Sequence, residues 1–418
     1  MSAMSPPPVG AAAAVEFTFD PTTAEFARDP FPTYSYLRTH APVYSWEAGR
    51  SWVVTRHEDV ALVLRDRRFS VSPRHWIHAE RTPMEGPIAE FYRLVGSGLA
   101  GAPPDDHVRL RRLVNPAFNP RAIERMRERV QGIVDSMLDA AVREGTVEVR
   151  NDFAEMLPIR VLGSILGIPA DEDVEFRAFA LALIKALNPW RARDELAQCV
   201  ATVLEGKRLL VRLIELRRSN PADDLLSDLI RAEEAGDRLT IDQLMGIIIG
   251  LLIAGSDTTV HGLCFAVFEL LRQPDVLQAV LADRALLKGA IDESLRHNPF
   301  MKFGTLPRYA LEDVEIRGVT IPKGHRVHPI VSAALHDPEV YPDPEVFDMR
   351  RDNTGSLVFG VGPHYCLGAP LARLELNVAV GALLDRSKNP RLIDVEPEFR
   401  PNPQMRDMVS LRVALSSG

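Results

Sequence analysis

Phe359-Gly360-Val361-Gly362-Pro363-His364-Tyr365-Cys366-Leu367-Gly368 places three glycines and a cysteine just ahead of an apolar run that reads as helix from Cys366 to Leu384. Glycines let a backbone come close to a flat partner, and Pro370 falls in the first helical turn, where its missing N–H costs little. A cysteine at a helix N-terminus sits at the positive end of the dipole near unpaired N–H groups, which favours thiolate over thiol. Thiolate is the form of cysteine that binds iron. An inert buried cysteine in a Gly-rich turn would account for these residues equally well.

Upstream, Thr240 opens a second informative run, with Asp242 and Gln243 in its first turn, that continues past Leu270 and stops before Gln273-Pro274. It predicts a helix of about thirty residues, against a usual length of ~11 or 12. Ala254-Gly255-Ser256-Asp257-Thr258-Thr259 interrupts its apolar run with a glycine, an acid and three hydroxyls, a composition that helix propensity disfavours. Hydroxyls can bond back to the preceding turn, and a helix with glycine there can open to admit a water or ligand. Back-bonding alone explains Thr258 and Thr259; a carboxylate beside a hydroxyl is also able to deliver protons.

Between and around these runs the chain reads as mainly α with small β-sheets. Asp29-Pro30-Phe31-Pro32 marks a helix entry and Ser51 to Thr55 a short strand. Apolar residues recur at helical spacing from Arg121 to Gly145, Val174 to Leu187 and Glu195 to Arg218. Short β-like segments surround Arg308, Val314 and Val319, and Asp337 to Asp348 is Pro-rich and irregular. Glu293-Ser294-Leu295-Arg296 puts an acid and a guanidinium on one helix face; a surface pair of that kind is worth at most about 1 kcal/mol.

The 418 residues, 46% hydrophobic and 25% charged, suit a compact globular enzyme, and one large domain over 17–418 is the simplest organisation. Residues 1–16 read as a disordered Pro/Ala-rich tail without signal-peptide form. A net charge of -8 with interspersed signs argues against nucleic acid. Cys199, Cys264 and Cys366 are too far apart for a zinc site or disulfide framework, which suggests a reducing compartment. The most apolar stretch, Ile247 to Ala254, is short of the roughly 20 residues that span a bilayer. A cytoplasmic protein with no membrane attachment is therefore expected.

The cysteine segment resembles, at every fixed position, the F-G-x-G-x-H-x-C-x-G motif of the cytochrome P-450 family, soluble bacterial type. Ala254 to Thr259 resembles that family's A-G-x-D/E-T-T segment, and Phe347-Asp348-Met349-Arg350-Arg351 its F-D-x-x-R. His107 and Arg111 match its H-x-x-x-R. The resemblance spans essentially the whole chain in the right order. It implies a P-450 fold with haem b (iron protoporphyrin IX) between the long central helix and the cysteine loop. Cys366 would bind the iron, with Phe359 shielding the sulfur and Gly360 and Gly368 beside the cofactor. His107, Arg111, Arg308 and His364 would meet the propionates, since buried carboxylates need partners. Thr258 would hydrogen-bond the oxygen substrate and Asp257 would relay protons. Glu293, Arg296 and Arg351 would form a structural cluster.

The implied activity is a monooxygenase that inserts one atom of O2 into an apolar organic substrate by hydroxylation or epoxidation. No Gly-rich flavin or nicotinamide fingerprint is present, so a ferredoxin or flavodoxin with its reductase is implied. Arg109, Arg112 and Arg373 are candidates to meet that partner; a monomer is expected. A peroxygenase would lack the acid-alcohol pair, and a haem-binding sensor would have no use for it. Ala254, Gly255, Trp76, Ile77, Phe300, Phe303, Met405 and Met408 are candidate substrate contacts, although aromatic and Met residues there serve a core equally well. Trp46 to Arg56, Leu113 to Pro116 and Asp348 to Asp352 resemble the myxobacterial epothilone-epoxidase branch of the family. That suggests a secondary-metabolite or macrolide-sized substrate; the candidate pocket residues do not obviously follow that branch, and terpenoids and fatty acids remain alternatives.

Overall fold

The computed structural model describes residues 17–79, 85–187, 193–234, 239–303, 306–387, 389–400, 402 and 404–415. The tail expected over residues 1–16 lies outside the described residues.

A helix over Ile241–Leu271 forms the axis of the fold. Its start is a capping box: Thr240 Oγ1 accepts from the Gln243 N–H and Gln243 Oε1 accepts from the Thr240 N–H, each at 3.1 Å. Arg272 ends it, just before Gln273-Pro274. By length and composition this helix could cross a membrane, so the apolar stretch is longer than Ile247 to Ala254 suggests. It is instead sheathed by protein, packing on helices Gly86–Gly96, Leu157–Ile165, Leu287–His297 and Ala369–Asp385. That explains why apolar residues surround it on nearly every side rather than on one stripe.

The helices expected from Val174 and Glu195 are present as Asp173–Ala186 and Arg193–Ser219. The one expected from Arg121 to Gly145 is broken into Pro120–Glu124 and Arg127–Glu144. At the break the Met126 N–H bonds to Ile123 O. The apolar spacing Ile123, Met126, Val130 runs straight across it, so periodicity could not reveal the bend. Small sheets flank the helices. In the largest, strands run in the order Val43–Trp46, Ser51–Val54, Arg326–Pro329, Arg308–Ala310, Phe69–Ser70. Ser51–Val54 pairs in parallel with Arg326–Pro329, a contact between distant parts of the chain.

Gly246 and Gly98 hold the loop after Gly86–Gly96 against the axis. A Cβ on Gly246 would lie 2.4 Å from Ser97 Oγ and 2.5 Å from Gly98 N. Gly246→Ala is therefore expected to cost about 1–3 kcal/mol by overpacking, read as a lower midpoint in urea denaturation with an unchanged slope.

Candidate active site

The cysteine loop is not helical at Cys366. A 3-10 turn spans Gly362–His364 and the helix begins only at Ala369, three residues after the cysteine expected at its end. The Cys366 N–H is instead committed to Phe359 O at 2.9 Å, which folds the loop back on itself. Gly360 and Gly362 take φ of +70° and +81°, open to glycine and rarely to other residues. At Gly368 φ is −80° and a Cβ would touch no protein atom, so nothing in the protein demands glycine there.

Cys366 is solvent-accessible, yet enough protein surrounds it that burial pushes its thiol above the usual value. The Gly368 N–H, Arg111, the Ala369 N–H and Arg373 oppose that push without cancelling it. The helix-terminal effect expected from the sequence thus acts in the right direction and is outweighed by desolvation. Phe359 lies under Arg373, whose guanidinium carbon is 4.4 Å from the ring centroid. Arg373 also bonds Asp292 at 2.8 Å, so it is engaged within the fold rather than held out as a free surface cation.

Four basic side chains gather beside the loop. The His107 and His364 rings lie 4.2 Å apart, and His364 is pushed down to about 4 by burial first and then by His107, Arg308 and Arg111. Arg308 is buried, donates to Leu306 O at 2.8 Å, and is pushed down to about 10 by burial alone. No carboxylate among the described residues forms an ion pair with Arg308 or Arg111. Two guanidinia held this way, Arg308 buried and Arg111 half-buried, are costly until anionic groups arrive. Arginines without a carboxylate, a cysteine beside them and a Gly368 whose Cβ would meet no protein atom suit haem with its propionates and iron.

Midway along the central helix, Ala254 is exposed and Gly255, Asp257 and Thr258 are half-buried, although both flanks of the helix are buried. The Thr258 hydroxyl donates to Ala254 O at 2.6 Å, the back-bond expected from a helical threonine, which leaves its lone pairs free to accept. Asp257 lies one turn before the buried His261, Nε2 to Oδ1 3.7 Å. Sequence reasoning did not single out His261, although its i, i+4 spacing from Asp257 was legible.

Glu293, Arg296 and Arg351 form a buried cluster, far from the weak surface pair that E-x-x-R alone suggests. Arg296 Nη2 and Nε donate to Glu293 Oε1 and Oε2 at 2.8 and 2.9 Å, and Arg351 Nε donates to Oε1 at 3.1 Å. The Asp348 N–H and Asn353 Nδ2 complete the set. Burial pushes the Glu293 carboxyl up, but these bonds and the Arg296 charge outweigh it and hold it below the usual range.

The candidate substrate contacts do not converge. Phe303 stacks on Phe19 and packs against Trp46 and His328, in a separate aromatic cluster. Trp76 is covered by Arg326 at 4.3 Å, and the exposed Ile77 lines a surface hollow with His75, Ala310, Leu311, Lys323 and Gly324. Met408 is fully buried in the main core. Phe300 and Met405 remain half-buried; Met405 pairs with Met301 across an isolated bridge, and Phe300 lies near His261.

A cysteine loop beside arginines that no carboxylate among the described residues pairs, in a fold whose long central helix carries an acid and a hydroxyl side by side, has the features of a haem-thiolate protein. Residues 33–404 match the cytochrome P450 family model, and the chain belongs to the cytochrome P450 family. It is 40% identical to epothilone C/D epoxidase of Sorangium cellulosum over 96% of this chain and 95% of that one. It is 37% identical to the cytochrome P450 monooxygenase PikC of Streptomyces venezuelae, covering 94% and 93%. The structure of epothilone D-bound cytochrome P450epoK superposes with a TM-score of 0.87 at 40% identity, covering 96% of this chain and all of that one. The protein is accordingly a haem-dependent monooxygenase acting with O2 on organic substrates.

Two outcomes follow from the buried charges. Glu293→Gln leaves two guanidinia without their carboxylate and is expected to cost about 3–5 kcal/mol, seen as a lower thermal midpoint with loss of haem on heating. Glu375, on the helix after the cysteine, is buried with Oε2 unpartnered and its carboxyl pushed up to about 8 by burial, from an ordinary 4.5. The folded chain keeps this proton where the unfolded chain releases it, so the stability involved is complete below about 4.5 and declines as pH rises toward about 8. Glu375→Gln should therefore melt like wild type near the acid end of that window and above wild type at its alkaline end.

Proposed function

We propose that this P450 oxidises an apolar, macrolide-sized secondary metabolite, with Cys366 as the iron ligand and Asp257 and Thr258 managing protons at the oxygen. The supporting observation for the cofactor contacts is the basic quartet of buried His107 and Arg308 with half-buried Arg111 and His364. Arg111 and Arg308 supply positive charge and the largely neutral His364 a hydrogen-bond donor, so the propionates gain partners and the cations lose their desolvation penalty. Bound haem supplies oxygen activation, with the thiolate donating electron density that favours O–O cleavage.

The chain's own residues do the rest. Phe359, pinned by Arg373, holds the Cys366 N–H through its carbonyl and so fixes the turn that carries the sulfur. Thr258, whose proton is held by Ala254 O, accepts a hydrogen bond at Oγ1 and so fixes the orientation of a donor beside it. Asp257 holds the proton to be delivered. Exposed Ala254 and half-buried Gly255, small residues at mid-helix, leave room for substrate. Two relatives act as an epoxidase of epothilones C and D and as a monooxygenase, which supports epoxidation or hydroxylation of a large, mostly apolar ring.

Electrons would come from a separate ferredoxin or flavodoxin. The cleft beside the cysteine loop, lined in part by Arg65 and Lys288, with Arg109 and Arg112 on the helix Pro104–Val114, supports an acidic partner, although Arg373 is held by Asp292. A cytoplasmic, monomeric enzyme folded as one haem domain over 17–418 fits this arrangement.

Cys366→Ser should abolish the reduced, carbon-monoxide Soret band that gives the family its name while leaving far-ultraviolet circular dichroism intact; a retained band would remove Cys366 from the iron. Titration of the holoenzyme with epothilones C and D, other macrolides and a fatty-acid series tests the substrate class. A high-spin shift with a macrolide supports it, and a shift with fatty acids alone overturns it.

A further inference from the structure

His261 is a fully buried histidine between two carboxylates. Its Nε2 lies 3.7 Å from Asp257 Oδ1, and its Nδ1 lies 4.0 Å from Asp407 Oδ1 on the strand Asp407–Met408. Nδ1 has no hydrogen-bond partner. Asp407 is half-buried and sits 3.3 Å from both Arg150 and Arg400; Arg150 is buried, whereas Arg400 reaches the surface. Phe300 packs beside the imidazole, with ring centroids 5.9 Å apart. A buried imidazole ordinarily has both nitrogens hydrogen-bonded. This one faces a carboxylate on each side at separations that a small side-chain shift or one bridging water closes.

We propose that His261 relays protons to Asp257 from the surface at Asp407 and Arg400. The proposal rests on the reading of Asp257 as the group that delivers protons to the oxygen. A neutral imidazole carries one N–H and one lone pair, so it can lose a proton from Nε2 to Asp257 Oδ1 as it gains one at Nδ1 from the Asp407 side. The ring's charge is unchanged, one proton enters from water at Asp407 for each that leaves Asp257, and the next transfer follows once the ring has returned to its first tautomer. Burial favours the neutral ring; Asp257 and Asp407 push toward the charged form, and Arg150 and Arg400 push back. His261 does not touch the reacting atoms, so it is a positioning and relay residue acting through Asp257.

The test uses the holoenzyme with NADPH, a plant-type ferredoxin and its reductase as surrogate partners, with no organic substrate. Oxygen consumption is measured across pH in H2O and D2O for wild type, Asp257→Asn, His261→Gln and Asp407→Asn. Asp257→Asn should slow it most. His261→Gln and Asp407→Asn should each slow it about ten-fold, less than the ~100-fold of a group at the reacting atoms, with a larger solvent isotope effect and a displaced pH profile. Independently, nitrogen NMR of the histidines in the ferrous carbon-monoxide form, with the His261 signals identified by their loss in His261→Gln, should show Nδ1 responding to Asp407→Asn and Nε2 to Asp257→Asn. If Asp257→Asn is slow while His261→Gln and Asp407→Asn match wild type, the relay is overturned and the reading of Asp257 stands. If all three match wild type, both fall. Slowing with an unchanged isotope effect and pH profile, or nitrogens that ignore both carboxylates, would make His261 a packing residue only. Asp407→Asn keeps the test decisive if His261→Gln fails to fold.

Discussion

The Glu293 carboxylate is the point on which the cysteine side of the molecule depends. A buried charge must be matched by directed hydrogen bonds, and Glu293 is matched by two guanidinia, a backbone N–H and an amide. The consequence reaches beyond the cluster. Arg296 donates onward to Leu335 O and Pro344 O, and Arg351 to Pro342 O, Asp343 O and Val346 O. These carbonyls belong to the Pro-rich stretch before the cysteine loop, which has no strand or helix of its own between Leu335 and Leu357. Its backbone acceptors have no ladder to join, so guanidinia replace one. A segment without regular structure is thereby fixed firmly enough to present Phe359 and Cys366.

The central helix meets the opposite demand: it must be rigid along its length and open at one place. Capping and burial on either side of Ala254–Thr258 supply the rigidity. The helix stays continuous through Gly255, and its accessible place is Ala254, where the Thr258 hydroxyl donates to Ala254 O and leaves the threonine oxygen's lone pairs as acceptors. The back-bonding and catalytic readings of Thr258 are therefore not rivals. The back-bond sets the direction in which the free lone pairs point.

The parts legible in the sequence were those encoded locally. Thr240 with Gln243, the apolar run behind them, Pro274 and the glycines of the cysteine loop each declare their conformation within a few residues. Other features were hidden because they depend on distant partners. Glu293-x-x-Arg296 reads the same whether it lies on a surface or in a core; burial decides, and burial comes from elements far away in the chain. Phe303 reads as a pocket aromatic until Phe19 and Trp46, from the first fifty residues, are found against it. Asp407 approaches His261 only because the strands Phe399–Arg400 and Asp407–Met408 pair beside the central helix. The Cys366 environment was half legible: the favourable N–H groups follow from local pattern, while the approach of Arg111 and the desolvation that outweighs both follow from packing.

That imbalance at Cys366 bears on how the holoenzyme is held together. Burial disfavours the thiolate, and the same surroundings leave Arg111 and Arg308 short of negative charge, so the protein alone carries two complementary penalties at one site. On the reading proposed above, a dianionic cofactor with a cationic metal would relieve both at once: its carboxylates would meet the arginines and its metal would stabilise the thiolate. Binding free energy gained this way belongs to the folded state only, since an unfolded chain does not assemble the quartet, and it therefore adds directly to stability. The cost of holding Arg111 and the buried Arg308 without a carboxylate would then be the means by which the fold selects its cofactor: a neutral flat molecule could fill the same space, but it would leave the arginines unpaired.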